Sequence, residues 1–353
     1  MNELELMMKV YEDLEDKQSK YVYRKRLDYI LTKDPSHIMA INTRYCKELA
    51  VYPDEIIEEF IQSLPKEASV ILYGAGLYGG MYIHLWKKLG ERPIGYCDAD
   101  QEKQKGGFKG YVVLPPEDLV KYPDAVLVIT IREHAGIADT LEQRGVKRDH
   151  IFQMPTGLLE SEKQYFDPDI VTYEDEGEVF VDAGCFDLST SLLLKKRCPI
   201  KKVYAFEPDP NNMKKCMQNK ALYHFDEVEL FPYGTWGRNG VVGFNAKNNV
   251  DSFFVEDALD LQQVEVRTID SIIDDGLPVT YIKMDVEGSE FETLKGAQNT
   301  IKRYRPKLAV YIYHKVEDMF ELPIYIKQLV PEYRLYLRHY SNMPEETVLY
   351  AVI

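Results

Sequence analysis

Twice along its length this chain runs an apolar strand into a glycine-bearing turn, follows it with a helix, and ends the next strand on an acidic residue. The first instance is ASVILYG, with Gly74-Ala75-Gly76-Leu77-Tyr78-Gly79, the helix YIHLWKKLG and the strand PIGYCDAD carrying Asp98. The second is VFVDAG, running from Asp182 through Gly184, Cys185, Phe186 and Asp187 into a helix around Ser191, then KKVYAFEPD with Glu207, Pro208 and Asp209. Few folds accommodate this pattern. A parallel strand must be followed by a right-handed crossover, usually helical, and ligands of such sheets sit at the carboxyl ends of the strands. The expected class is α/β, with two Rossmann-like doubly wound domains in tandem after an N-terminal helical extension. A chain of 353 residues exceeds what one hydrophobic core supports.

Residues 1–64 place apolar side chains at helical spacing among charges, as in LELMMKVYEDL and DEIIEEFIQSL, and predict two or three amphipathic helices. The first α/β domain is expected over 65–164, with DAVLVIT as a further strand and HAGIADTLEQRG as a further helix. The stretch MPTGLLESEKQYFDPDIVTYEDEGE has weak periodicity and predicts a linker with its boundary near Tyr165, exposed to solvent. The second domain, 165–353, continues through EVELFPYG, a hairpin-like insertion from Trp236 to Phe254, VEVRTID, VTYIKMD, the helix EFETLKGAQNTIKRY and KLAVYIYH. It closes with the helix FELPIYIKQLV and the strands YRLYLRHY and TVLYAVI.

Bulk properties narrow the partners. A formal net charge of −15 opposes a phosphate backbone or an anionic bilayer, so neither nucleic acid nor membrane is expected. The start MNELELMMKVYEDLEDKQSKYVYRKR has no signal-peptide pattern and no apolar run approaches a membrane span, so cytoplasmic residence is expected. Cys46, Cys97, Cys185, Cys198 and Cys216 are scattered without CxxC spacing, which suits small core residues rather than disulfides or a thiolate zinc site.

Gly184 marks a close backbone approach at the carboxyl edge of the second sheet, and Glu207 stands where such folds hold a ribose diol, a task suited to a carboxylate that accepts two hydrogen bonds. The alternative is a helix cap and a solvated strand end. Together with Ile282-Lys283-Met284-Asp285-Val286-Glu287-Gly288-Ser289-Glu290 and Leu294-Lys295-Gly296-Ala297, these residues resemble the FkbM family of methyltransferases over roughly the C-terminal half. The resemblance implies a class I methyltransferase fold, S-adenosylmethionine as donor, and O-methylation of a sugar or sugar-bearing small molecule. By position it puts Asp182, Gly184, Cys185 and Phe186 at the donor loop, Glu207 and Pro208 at the ribose, and Asp285 and Glu287 beside them. Leu188 stands where the family often has a second glycine, and a side chain there can point away from a ligand.

Removing a proton from the acceptor hydroxyl calls for a base. Asp285 and His314 both fall at strand ends facing one cleft, and either could serve; His314 could equally be a structural histidine bonded to the backbone. Asp285, Glu287 and Glu290 are hard oxygen ligands suited to Mg2+, but the helix after Gly288 turns Glu290 partly away, so Mg2+ stays open without being predicted. The polar stretches Gly237-Arg238-Asn239-Gly240 and Asn248-Asn249-Val250-Asp251-Ser252 are either substrate loops or plain turns. In the first domain Gly74, Gly76, Gly79 and Asp98 form a candidate nucleotide or nucleotide-sugar site, against a domain that binds nothing and only supports its neighbour. Two rival functions stand beside methyl transfer: an NAD-dependent enzyme acting on a nucleotide sugar, for which no Tyr-x-x-x-Lys pair follows the first domain's strands, and a non-catalytic scaffold.

Overall fold

The computed structural model describes residues 2–90, 93–131, 136–244, 254–255, 262–273 and 276–353. The chain divides into two compact units, one built from residues 1–50 and 160–353, the other from 51–159. Three helices open it: α1 (Glu3–Asp13), α2 (Lys17–Thr32) and α3 (Ser36–Tyr45). Asn2 caps α1 in a reciprocal capping box with Glu5, and Asp16 caps α2 through the Ser19 N–H.

The smaller unit begins with α4 (Pro53–Ser63), started by a proline at its first position. Its sheet comprises β1 (Val70–Tyr73), β2 (Gly95–Cys97), β3 (Val113–Leu114), β4 (Val126–Ile129) and β5 (Ile151–Gln153), all parallel, in the order β3-β2-β1-β4-β5. Strands β3 and β5 are only two and three residues long, too short to leave a periodic signal in the sequence. Helices α5 (Leu77–Met81), α6 (Ile83–Lys88), α7 (Gln101–Gly106) and α8 (Ile137–Gln143) lie between the strands, and Ile57 and Ile61 of α4 share a core with Trp86.

The larger unit carries a seven-stranded sheet. Its strands are β6 (Glu178–Ala183), β7 (Ile200–Phe206), β8 (Val228–Phe231), then β13 (Tyr281–Met284), β14 (Lys307–Tyr311), β15 (Arg334–His339) and β16 (Thr347–Val352), ordered β15-β16-β14-β13-β6-β7-β8. Every residue of β6 and β13 is buried, as expected of central parallel strands covered on both faces. The order reverses between β13 and β7 on either side of β6, which makes the carboxyl end of β6 the switch point. Strand β16 runs antiparallel between β14 and β15. A small sheet of β9 (Gly234–Thr235), β10 (Gly240–Phe244), β11 (Phe254–Val255) and β12 (Gln262–Arg267) follows β8 in sequence. Residues Asn248 to Ser252 of the expected insertion lie outside the described residues. Helices α9 (Ser189–Lys195), α10 (Pro210–Leu222), α11 (Glu290–Gly296), α12 (Gln298–Tyr304) and α13 (Asp318–Leu329) complete the unit. The single helix expected over EFETLKGAQNTIKRY is therefore two, parted at Ala297 (φ −111°, ψ 5°), and Gly296 is required there because a Cβ would fall 2.0 Å from the Trp236 carbonyl oxygen.

Two expected boundaries change. Helices α1 to α3 are not a separate segment: Val10, Leu14, Val22, Tyr23, Ile38 and Ile41 enter the same core as Val181, Met284 and Leu337. The α1–α2 connection also covers the sheet edge. Leu14 bridges Leu335, the Glu15 N–H donates to the Leu335 carbonyl (3.0 Å), the Leu337 N–H donates to Ser19 Oγ (2.9 Å), and Arg338 pairs with Asp16 (2.7 Å). An edge strand that would otherwise present unpaired backbone groups is thereby satisfied. Nor is the region near Tyr165 an exposed linker, since Tyr165, Phe166, Ile170 and Val171 are buried beside Phe180 and Tyr281.

Candidate functional site

The turn after β6 is held by close backbone packing. Gly184 has φ +78°, and a Cβ there would lie 1.8 Å from the Asp285 carbonyl oxygen, so only glycine lets the β6 and β13 ends meet. The Gly184 and Cys185 N–H groups both donate to the Phe206 carbonyl, tying the turn to β7. Leu188 adopts φ +71°, the conformation a glycine would take without cost, and its side chain is fully buried under the turn rather than aimed at a ligand. Phe186, also at positive φ, is half exposed, with the Lys215 ammonium 4.7 Å from its ring centre.

Glu207 follows β7 directly. Its Oε2 accepts the Phe186 N–H (3.0 Å) and its Oε1 the Asp209 N–H (2.8 Å), which fixes the carboxylate against the turn. Burial pushes this carboxyl up to about 7, outweighing those two hydrogen bonds. Pro208 is half-buried, and Asp209 caps α10 through the Asn211 and Asn212 N–H groups. Cys185 is buried with its Sγ 3.6 Å from Cys216 Sγ, and the contact with Cys216 together with burial holds its thiol well above the usual range, so its side chain belongs to the core.

Asp182 is enclosed. Its carboxylate accepts from Ser191 Oγ (2.6 Å) and pairs with Lys283 Nζ at 3.2 Å, with both Asp182 and Lys283 almost wholly buried. Lys283 also donates to the Gly184 carbonyl (2.6 Å) and lies 4.0 Å from Asp285 Oδ2. Asp182 is thus enclosed by Lys283 and Ser191, and Lys283 ties it to the backbone of Gly184. The sequence reading assigned Lys283 no role, although a lysine inside the apolar strand YIKM demands a partner.

Asp285 lies one residue past β13, its side chain about a quarter exposed. Burial pushes its carboxyl up to about 6 against the opposing pull of Lys283 and His314. Tyr165 donates to Asp285 Oδ2 (3.1 Å) and was missed because it falls in the expected linker. Rings of Tyr165, Tyr311 and Tyr313 stand in series, 5.3 and 4.9 Å between centres, and Tyr313 lies 4.2 Å from the His314 ring. Glu346 accepts from Tyr311, with its carboxyl pushed by burial up to about 7.

His314 lies three residues past β14 in the following loop. Its Nδ1 is 3.0 Å from Glu290 Oε1 and its Nε2 is 3.5 Å from Glu287 Oε2, with the side chain nine-tenths buried. Burial works against its charge, yet Glu290 and Glu287 raise its pKa well above the ordinary histidine value. Both ring nitrogens of His314 face carboxylates, whereas the Asp285 side chain is partly open to solvent, which favours Asp285 over His314 as proton acceptor. Glu290 is fully buried and also accepts the Val286 N–H (3.1 Å).

Elsewhere the motif residues serve local structure. Asn239 accepts from the Thr268 N–H and Ser271 Oγ, as a turn residue does. In the smaller unit a Cβ on Gly74 would meet Ile131 at 2.6 Å and one on Gly79 the Gly74 carbonyl at 2.5 Å, whereas Gly76 faces open space. Asp98 spends Oδ2 on the Ala75 N–H (2.9 Å) and Oδ1 on the Asp100 N–H (3.0 Å), with Lys103 3.6 Å away.

The larger unit is thus an α/β domain, with a glycine turn and an acidic strand end joined at the sheet's switch point. Residues 169–342 match the family described as the methyltransferase FkbM domain, and this C-terminal half of the chain is an FkbM methyltransferase domain. The chain is 25% identical over 224 residues to the 2-O-methyltransferase NoeI of Sinorhizobium fredii (strain NBRC 101917 / NGR234), covering 57% of this chain and 88% of that protein. Among solved structures it is similar to Methyltransferase FkbM from Methylobacillus flagellatus KT, with 20% identity and a TM-score of 0.48, covering 90% of this chain and all of that one. It is also similar to SMU.1697c, a putative methyltransferase from Streptococcus mutans in complex with SAH, with 14% identity and a TM-score of 0.33, covering 50% of this chain and 90% of that one. No helix among the described residues is long and apolar enough to cross a membrane.

Proposed function

We propose that this chain transfers the methyl group of S-adenosylmethionine to a hydroxyl of a small, sugar-like acceptor. The observation that carries the reading is the FkbM domain with Glu207 fixed against the Gly184 turn at the switch point. On this reading the seven-stranded sheet is a class I methyltransferase sheet, and the two units are doubly wound domains in tandem. The donor's ribose hydroxyls donate to Glu207, and its amino-acid end lies along the backbone of Gly184 and Phe186. The acceptor enters beside Asp285, against Tyr165 and Tyr313. The name of NoeI, a 2-O-methyltransferase, supports oxygen as the acceptor atom.

The chemistry is an in-line displacement. The acceptor oxygen forms a bond to the methyl carbon as the carbon–sulfur bond breaks, its electrons remain on sulfur, and the hydroxyl proton passes to Asp285. Alignment of donor and acceptor supplies most of the acceleration, and the base adds about 10²- to 10⁴-fold. The NAD-dependent reading is less favoured, because the methyltransferase family match falls on residues 169–342, outside the smaller unit that carries the Asp98 motif.

The test is to incubate the full chain with methyl-labelled S-adenosylmethionine and a panel of free and nucleotide-linked sugars, then to locate label in an ether linkage. Asp285→Asn should lose labelling by about 10²-fold or more with donor binding intact. Label on nitrogen, or undiminished turnover in Asp285→Asn, contradicts the reading.

A further inference from the structure

We propose that Asp285, Glu287 and His314 form a binding site for a divalent cation of the Mn2+ class, placed to hold an oxygen of the acceptor. The cation's role rests on the methyl-transfer reading above; its binding does not. One carboxylate oxygen each from Asp285 and Glu287 and one ring nitrogen of His314 lie within 4.8 Å of one another. They come from two neighbouring loops at the carboxyl edge, one after β13 and one after β14. Modest side-chain rotation brings such atoms to the roughly 2.0–2.2 Å at which nitrogen and oxygen bind first-row metals.

The imidazole supplies a second, independent observation. His314 is nine-tenths buried, and neither of its ring nitrogens makes a hydrogen bond among the described residues; its Nε2 faces Glu287 Oε2 at 3.5 Å. Its Nδ1 is turned to Glu290 Oε1 at 3.0 Å, with Glu290 fully buried behind it. Metal-bound histidines use this arrangement: a carboxylate behind one ring nitrogen fixes the tautomer that presents the other to the ion.

Charge points the same way. The Lys283 cation is matched by Asp182 at 3.2 Å, and Lys315 donates to the Gly288 carbonyl. Three carboxylates, Asp285, Glu287 and Glu290, therefore surround one imidazole. A divalent ion balances that excess where one proton on the imidazole does so only in part. A mixed oxygen and nitrogen set suits Mn2+ or a later first-row ion better than Mg2+, which prefers oxygen ligands alone. Three protein ligands leave positions open for water and an acceptor oxygen.

The experiment adds Mn2+ alone to the full chain, without donor or acceptor, and reads the free-ion signal by electron paramagnetic resonance. One site should fill, and His314→Ala and Glu287→Gln should each weaken it at least about tenfold. Glu290→Gln, which touches the imidazole and not the ion, should cost about 10- to 100-fold. Glu287 is more than half exposed, so its variant tests the site without disturbing the core. Failure of the parent chain to bind Mn2+, or equal affinity in parent, His314→Ala and Glu287→Gln, overturns the site. Because no S-adenosylmethionine is present, either result leaves the donor reading to its own test.

Discussion

Lys283 and Asp182 form an ion pair inside the central sheet, Nζ to Oδ1 at 3.2 Å, and the same ammonium donates to the Gly184 carbonyl. Strands β6 and β13 thus hold the glycine turn and the carboxylate of Asp285 in one network. Burial disfavours the Lys283 charge, yet Asp182 and then Asp285 more than compensate, and its pKa stands above the ordinary lysine value. The pair's consequence is positional: it fixes the loop proposed to hold the donor.

Lys283→Met should destabilise the chain by about 3–5 kcal/mol, because it strands a buried carboxylate. Adding Asp182→Asn should recover part of that loss, since the uncompensated charge is gone. Denaturant midpoints of the single and double variants check this, and a single variant as stable as the parent would refute the pairing.

Gly184→Ala should cost stability and donor affinity together. The left-handed backbone alone costs a substituted residue about 1–3 kcal/mol, and the new Cβ would collide with the Asp285 carbonyl. S-adenosylmethionine affinity should fall more than tenfold, measured by calorimetry, and an alanine variant with parental affinity would remove the turn from the donor site.

Glu207 predicts a pH dependence with a definite sign. Its carboxyl titrates near 7 in the folded chain, against an ordinary value of 4.5. Between those values the folded state binds more protons than the unfolded, so this group's contribution to stability falls as pH rises through that window. Donor binding runs the other way, since ribose hydroxyls donate to the ionised carboxylate. Affinity should tighten from pH 6 to pH 8 in the parent, and the dependence should flatten in Glu207→Gln.

Much of this was legible in the sequence. Apolar strands ending on Gly184, Glu207 and Asp285 announced parallel strands with their carboxyl ends at one edge, because buried strands leave continuous apolar runs. What was not legible depended on contacts distant in sequence. Nothing local tells that Leu14 bridges Leu335, or that Tyr165, in a stretch of weak periodicity, turns inward to Asp285. Glu290 looked turned away by its helix, yet Nδ1 of His314 reaches it from the next loop.

A fragment starting at residue 165 should fail to fold, contrary to the linker reading, because it omits α1 to α3 and uncovers β15. Joining residues 1–50 to 160–353 through a short flexible linker should restore a soluble domain that binds donor. Sedimentation and calorimetry of the two proteins decide this, and a soluble, donor-binding fragment from 165 would show the N-terminal helices to be dispensable.

The most direct measurement is a calorimetric titration of S-adenosylmethionine into the parent chain, Glu207→Ala and Asp98→Ala. Hydrogen bonds to a charged acceptor contribute about 1.5–3 kcal/mol each, so Glu207→Ala should weaken binding by at least about tenfold. Asp98→Ala should bind as the parent does. No binding to the parent, or loss of affinity in Asp98→Ala with Glu207→Ala unaffected, would contradict a methyl donor at the β6–β7 edge.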